Sequence, residues 1–341
     1  MSDKRYLGNI ITQNPTAPAG PYEDGAASGV WSLAEAFAYT KAGLWPTAGN
    51  AAPRALFAGG FGSNYEATID FVQIETTGNA TDFGDLTQTV YKGAGTGSKT
   101  RGLFSGGQTT GGSAINVIQY VTTATEGNAS DFGDLTDTMR GHGACASDTR
   151  GLFAGGENTS STQLNIISYV TIASTGNATD FGDRTVSKRD IAGFSSQTRG
   201  VFGGGQPSST NVIDFVTIAT TGNASDFGDL TEGRQNLAGC SSPTRGLFAG
   251  GNNGGGDVTT IDYITIATAG NAIDFGDLTV ARDRVCGTSS HITGLFAGGD
   301  PATNIIDTVT IASTSNATDF GDLTVARFGA MGASNAHGGL A

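Results

Sequence analysis

The sequence predicts an all-β fold, a six-bladed β-propeller with four antiparallel strands per blade, behind a short and mostly extended N-terminal arm. Three observations carry that prediction. One ten-residue phrase is written six times. Its copies keep a nearly constant spacing. Each repeat divides into four short runs separated by turn residues, with no helical periodicity after about residue 50.

The phrase reads GNATDFGDLT at 78–87 and returns with small changes at 127–136, 176–185, 222–231, 270–279 and 315–324. The phenylalanines of its Asp-Phe-Gly-Asp tetrad are Phe83, Phe132, Phe181, Phe227, Phe275 and Phe320, spaced by 49, 49, 46, 48 and 45 residues. A second phrase keeps step with it: ALFAGG at 55–60, GLFSGG at 102–107 and four further copies ending in a glycine pair. Between them runs a third, IDFVQIET at 69–76 in the first unit and IDYITIAT at 261–268 in the fifth. A fixed period of this length marks a solenoid, a propeller or an array.

Secondary-structure signals choose among these. In the fifth unit QNLAGCSS (235–242) is strand A, TRGLFAGG (244–251) strand B, TTIDYITIAT (259–268) strand C and AIDFGDLT (272–279) strand D. Strand C is rich in β-branched and aromatic residues. Ile261 and Tyr263 face one way, Ile264 and Ile266 the other, which suits a sheet covered on both faces. Four strands per unit is the arithmetic of a propeller blade.

The aromatic-x-Gly-Gly ending of strand B resembles the glycine pair of kelch repeats, the galactose-oxidase-like propellers, over roughly residues 50–341. The tryptophan usual near strand D of that family is missing. The six tetrad phenylalanines stand in its place as inter-blade plugs.

A ring must join its ends. Residues 328–335 read as a strand A and are expected beside strand B of unit one, so that first and last strands share a blade; AGLWPTAGN (42–50) is a rival for that position.

Composition bounds the rest. Glycine is 54 of 341 residues, about twice the usual share, without a collagen period, and is explained by tight turns. The formal net charge is -13, and the six tetrads supply 12 of the 31 acidic residues. A chain this acidic, without clustered Lys and Arg, is not expected to bind nucleic acid. Cys145, Cys240 and Cys286 are too sparse for a disulfide framework, and neither they nor the three histidines have metal-ligand spacing. No apolar run approaches a membrane span and no signal peptide is evident, so neither membrane insertion nor a secretory route is expected.

The repeated phrase has a structural reading. Gly-Asn makes a tight turn into strand D, the Asp side chains accept backbone N–H bonds, and Phe plugs the space between blades. The alternative is calcium, because Asn79, Asp82 and Asp85 recur at i, i+3 and i+6. No other cofactor is expected. Arg101, Arg150, Arg199 and Arg245 precede strand B in TRG, with Arg54 in the same slot of unit one, and are read as structural partners of the tetrad carboxylates in their own or a neighbouring blade.

Function is expected in the B–C loops, which differ between units and are rich in Asn, Ser, Thr and Gly. The candidates are Asn64, Tyr65, Gln108, Asn158, Gln206, Asn252, Asn253 and Asp300. Such loops suit a carbohydrate or protein surface better than a dry catalytic pocket. No nucleophile motif, copper-ligand cluster or sialidase-type Asp-box is evident, so no catalytic residue is named and the chain is not expected to be an enzyme.

The first fifty residues differ in character. Ser32 with Glu35 forms a capping box, which predicts a short helix near 33–41. Trp31, Phe37, Tyr39, Leu44 and Trp45 on and around it are candidate docking residues. LGNIITQNPTAPAGP (7–21) and GVWSLAEAFAYTKAGLWPTAGN (29–50) resemble the N-terminal segments of virion structural proteins of tailed bacteriophages, especially those of marine cyanobacteria. That resemblance implies a tail or capsid fibre or decoration protein, made in the host cytoplasm and carried out with the particle. Its arm, residues 1–50, would dock on other virion proteins, and its propeller, 51–341, would present loops to a host-surface glycan or protein. A purely structural connector and a glycan-active propeller enzyme are the alternatives, and homo-oligomerisation is left open.

Overall fold

The computed structural model describes residues 52–340, and the expected helix near 33–41 with Trp31, Phe37, Tyr39, Leu44 and Trp45 lies outside them. The described residues form six four-stranded antiparallel sheets, each ordered A-B-C-D from the axis outward. Blade one takes β1 (Arg54–Ala58), β2 (Thr68–Gln73) and β3 (Thr81–Asp85). Blade two is β4 (Ala94–Gly97), β5 (Arg101–Ser105), β6 (Ile115–Thr122) and β7 (Ser130–Met139). Blade three is β8 (Gly143–Ala146), β9 (Arg150–Ala154), β10 (Ile166–Thr171) and β11 (Thr179–Asp183). Blade four is β12 (Ala192–Ser195), β13 (Arg199–Gly203), β14 (Thr210–Thr217) and β15 (Ser225–Arg234). Blade five is β16 (Ala238–Ser241), β17 (Arg245–Ala249), β18 (Thr260–Thr265) and β19 (Ile273–Asp277). Blade six is β20 (Cys286–Ser289), β21 (Thr293–Ala297), β22 (Thr303–Thr310) and β23 (Thr318–Arg327). The last strand, β24 (Met331–Ser334), returns to blade one and pairs with β1 in the register Ala55↔Ser334 to Ala58↔Met331.

The core is six wedges between blades. The wedge of blades one and two holds Leu56, Ile69 and Phe83 from one side and Phe104 and Val121 from the other. Each further wedge repeats the pattern. The tetrad phenylalanine of one blade meets the strand-B phenylalanine of the next, as Phe132 meets Phe153 and Phe320 meets Phe57. This is why strand C is apolar on both faces: every blade is sandwiched.

The repeated phrase is divided between two blades. Strand D is the outer edge of its sheet, with unpaired N–H and C=O groups. The Gly-Asn-Ala turn of the following blade covers that edge. Gly127 N–H donates to Phe83 O (2.8 Å), Ala129 N–H to Asp85 O (2.8 Å), and Asp85 N–H to Asn128 Oδ1 (3.0 Å). The Asp-to-Asn bond recurs at every junction, at 3.0 to 3.1 Å, and ends with Asp322 N–H on Asn79 Oδ1. A register shift in the C–D pairing, between Ile69 and Asp70 in blade one, leaves Phe83 outside the ladder and free to fill the wedge. Gly84 has φ +148, and a Cβ there would lie 2.5 Å from Gly127 O, so glycine is what lets the next turn dock.

The TRG arginines differ from their expected role. Each lies over an aromatic ring of strand C in its own blade and donates to carbonyls of the next blade rather than to tetrad carboxylates. Arg101 lies 4.7 Å from the Tyr120 ring centroid and donates to Ile172 O at 2.8 Å. Arg150, Arg199 and Arg245 repeat this over Tyr169, Phe215 and Tyr263, and Arg54 over Phe71. The tetrad carboxylates are exposed or half-buried, so charge pairing gains little there, whereas a guanidinium on a ring face with a carbonyl partner is satisfied on both counts.

Candidate functional site

The A–B and C–D turns share one end of the ring, and the B–C and D–A loops share the other. At the first end the axis is occupied by the chain itself. His337 Nε2 donates to Gly97 O (2.9 Å), Gly339 N–H donates to His337 Nδ1 (3.1 Å), and Gly338 N–H donates to Ser241 O (3.0 Å). Leu340 is fully buried. These bonds fix one neutral tautomer, and burial pushes the His337 pKa down to about 4. Midway along the axis the strands nearly touch: a Cβ on Gly95 would lie 2.4 Å from Gly332 O.

The other end is built differently. One residue of each D–A loop has left-handed backbone: Lys92, Gly141, Asp190, Asn236, Arg284 and Gly329, with φ between +51 and +64. Their peptide groups form a closed cycle around the axis. Lys92 N–H donates to Gly329 O (3.0 Å), Gly141 to Lys92 O (2.8 Å), Asp190 to Gly141 O (2.5 Å), Asn236 to Asp190 O (2.8 Å), Arg284 to Asn236 O (2.8 Å) and Gly329 to Arg284 O (2.8 Å). The mouth is thus a rigid rim on which four positions carry polar or charged side chains.

Those side chains and their neighbours form a network. Lys92 Nζ lies 2.8 Å from Asp190 Oδ1. Arg140 and Arg189 both pair with Glu157, whose side chain is 3% exposed. Arg140 Nη1 donates to Gln108 Oε1 (2.6 Å), and Gln108 Nε2 donates to the Tyr65 hydroxyl (3.0 Å). Gln206 donates to Asp190. Across the mouth Arg284 pairs with Asp300, and Asn236 Nδ2 donates to Asp283 Oδ2 (2.9 Å). Burial, with help from Asp257 and Asp300, pushes the Asp283 carboxyl up to about 6 against the opposing pull of Arg284 and Asn236.

Beside the charges stands a wall of half-buried aromatics. Phe61, Tyr65, Tyr91 and Phe328 meet with ring centroids 5.3 to 6.1 Å apart, mostly edge to face. Between wall and charges opens a cleft of about 180 Å³ lined by Tyr91, Lys92, Gln108, Arg140, Arg189 and Asp190. Among the described residues no group of three or more His, Cys, Asp or Glu is arranged to hold a metal ion.

Of the loop candidates, Tyr65, Gln108, Gln206 and Asp300 come together in this network. Asn158, Asn252 and Asn253 hold their own loops instead, accepting N–H bonds from Ser160 and Thr162, Gly254, and Gly255 respectively. Asn64 is exposed at a loop tip. The D–A residues Tyr91, Lys92, Arg140, Arg189, Asp190 and Arg284 escaped the sequence reading, which sought variation only in the B–C loops. A signal was present: the stretch after each tetrad varies as much, reading TQTVYKG, TDTMRGH and TVSKRDI in the first three units, and it concentrates basic residues in an acidic chain.

The fold and this site define a six-bladed β-propeller with a polar cleft, bordered by Tyr91, at one mouth of its axis. No protein-family model matches the chain, and no curated protein matches it.

Proposed function

We propose that this chain is a non-enzymatic recognition protein of a tailed-phage particle, a fibre or decoration protein whose B–C and D–A face binds a saccharide of the host surface. The mouth cleft carries the reading: Tyr91, backed by Tyr65 and Phe328, stands beside a set of fixed donors and acceptors, the chemistry that holds a sugar ring, apolar on its faces and polar at its edges. The donors and acceptors are held by buried carboxylates and by the rim of peptide bonds, so little ordering is needed on binding. The particle context is supported by the resemblance of residues 7–21 and 29–50 to phage virion segments, and the kelch-like assignment by the glycine pair that ends strand B in all six units.

The test is to label the full chain and apply it to intact cells of candidate bacterial hosts and to an array of their surface polysaccharides. Binding to both, reduced by Tyr91→Ala, is expected. A blank array together with stable incorporation of the chain into particles would favour a connector without a ligand. Release of reducing ends from a polysaccharide would favour an enzyme.

A further inference from the structure

We propose that the cleft lined by Tyr91, Lys92, Gln108, Arg140, Arg189 and Asp190 binds one carboxylate-bearing sugar, a uronic acid residue, with the carboxylate on Arg189 and Lys92 and the ring against Tyr91. This rests on the saccharide reading above and adds the charge of the sugar.

Charge balance is the first support. On the wall that lines the cleft three cations, Lys92, Arg140 and Arg189, meet two carboxylates, Glu157 and Asp190, which leaves one positive charge in surplus at that wall, while across the mouth Arg284 faces Asp300 and Asp283, in a chain whose formal net charge is -13. One surplus charge matches a monoanion. A dianion would crowd Glu157 and Asp190, which are fixed a few ångströms behind the cations.

Donor supply is the second. Arg140 is committed to Glu157, Gln108 and Gly112 O, and so serves as framework. Arg189 commits Nη1 to Glu157, and its Nε is buried 3.6 Å from Asp190 without a hydrogen bond among the described residues, which leaves Nη2 as its donor for a ligand. Lys92 donates to Asp190 alone. The Lys92 and Arg189 side chains are both partly exposed among the residues that line the cleft. A planar guanidinium beside an ammonium suits a carboxylate, which accepts through both oxygens.

Size and shape are the third. At about 180 Å³ the cleft is below the roughly 300–1,000 Å³ of a drug-sized pocket, so it admits one ring rather than an extended chain. Tyr91 supplies a wall continuous with Tyr65 and Phe328, which an aspartate or glutamate side chain of a peptide would leave uncovered.

The experiment is calorimetric titration of the full chain with methyl glucuronoside, methyl glucoside, the uncharged glucuronamide glycoside, and acetate. The glucuronoside is expected to bind roughly tenfold tighter than the glucoside or the amide, and acetate weakest. Arg189→Gln and Lys92→Gln should each bring the glucuronoside-to-glucoside ratio to about one, while Tyr91→Ala should weaken both ligands. Melting curves check that each variant folds. Should Arg189→Gln fail to fold, Lys92→Gln carries the test. Equal affinity for glucuronoside and glucoside would overturn this inference and leave the saccharide reading standing. Acetate binding as tightly as glucuronoside, or an acidic peptide binding where glucuronoside does not, would also overturn it. Binding of no saccharide at all would overturn both.

Discussion

Arg327 Nη2 lies 2.9 Å from Asp70 Oδ2 with both side chains fully buried, and the pair ties the last strand of blade six to strand C of blade one. The same relationship recurs where a blade carries Asp at this point of strand C. Asp214, Asp262 and Asp307 are met by Arg184, Arg234 and Arg282 of the preceding blade. Where strand C carries Gln119 or Ser168 instead, the preceding blade offers Val90 or Met139. Acid and base thus appear and vanish together within one chain. Desolvation explains why: a buried carboxylate without its guanidinium is costly, while the pair itself is close to neutral against an apolar replacement.

Removing one member of the pair should therefore cost far more than removing both. Arg327→Met is expected to lose about 3–5 kcal/mol in denaturant unfolding. The double variant Arg327→Met, Asp70→Ser copies the Met139 and Ser168 junction and should recover most of that loss. A double variant no more stable than the single would show that the charges are not coupled.

The junction on the outer edge gives a second test. Asn128→Ala removes the acceptor of Asp85 N–H and should cost about 1 kcal/mol, as for an ordinary hydrogen bond. Gly84→Ala should cost more, because the new Cβ meets Gly127 O at 2.5 Å and the backbone is left-handed. The calcium alternative is tested on the same proteins. Asn79 Oδ1, one of the candidate ligand oxygens, already accepts from Asp322 N–H of blade six. Calcium is expected to leave the melting temperature of the wild type unchanged, and a rise of several degrees would restore the alternative.

The blades were legible because each strand pattern is repeated six times and is apolar on both faces, so local and global preferences agree. The division of GNATDFGDLT between two blades was not legible. Spacing alone cannot say whether Asn79 bonds within its own turn or to Asp322 of another blade. The TRG arginines misled for a related reason: a cation in the same repeat as the carboxylates suggested pairing, but each guanidinium lies over a strand-C ring and donates to a carbonyl of the next blade. The cleft was half legible. Tyr65 and Gln108 stood out in variable loops, while Lys92, Arg140 and Arg189 became a site only once the six D–A loops closed around the axis.

Asp283 predicts a pH dependence at the mouth. Its folded pKa is raised from the ordinary 3.8 to about 6, so the folded state holds this proton more tightly than the unfolded chain. Its contribution is therefore fully present below about pH 3.8 and is lost as pH rises through about 6. Asp283→Asn removes that loss and keeps an acceptor for Asn236. The variant should melt higher than wild type at pH 7 and no higher at pH 3.5. An equal gain at both would assign the effect to packing.

His337 predicts the opposite sign at the other end of the axis. Its folded pKa is lowered from 6.5 to about 4, because the ring is buried and its Nδ1 must accept from Gly339 N–H. A buried neutral histidine contributes stability that is whole above pH 6.5 and is lost as pH falls through about 4. His142 is pushed down to about 3 by burial and adds to the same loss, so the effect of His337 is read by difference. His337→Gln keeps a donor for Gly97 O and an acceptor for Gly339 N–H without a titrating group. Between pH 7 and pH 4 the wild type should lose more unfolding free energy than this variant. Its amides at Gly338 and Gly339 should exchange faster at the acid end, after correction for intrinsic rates. Parallel pH profiles for the two proteins would show that His337 does not take up the proton that loosens this end of the axis.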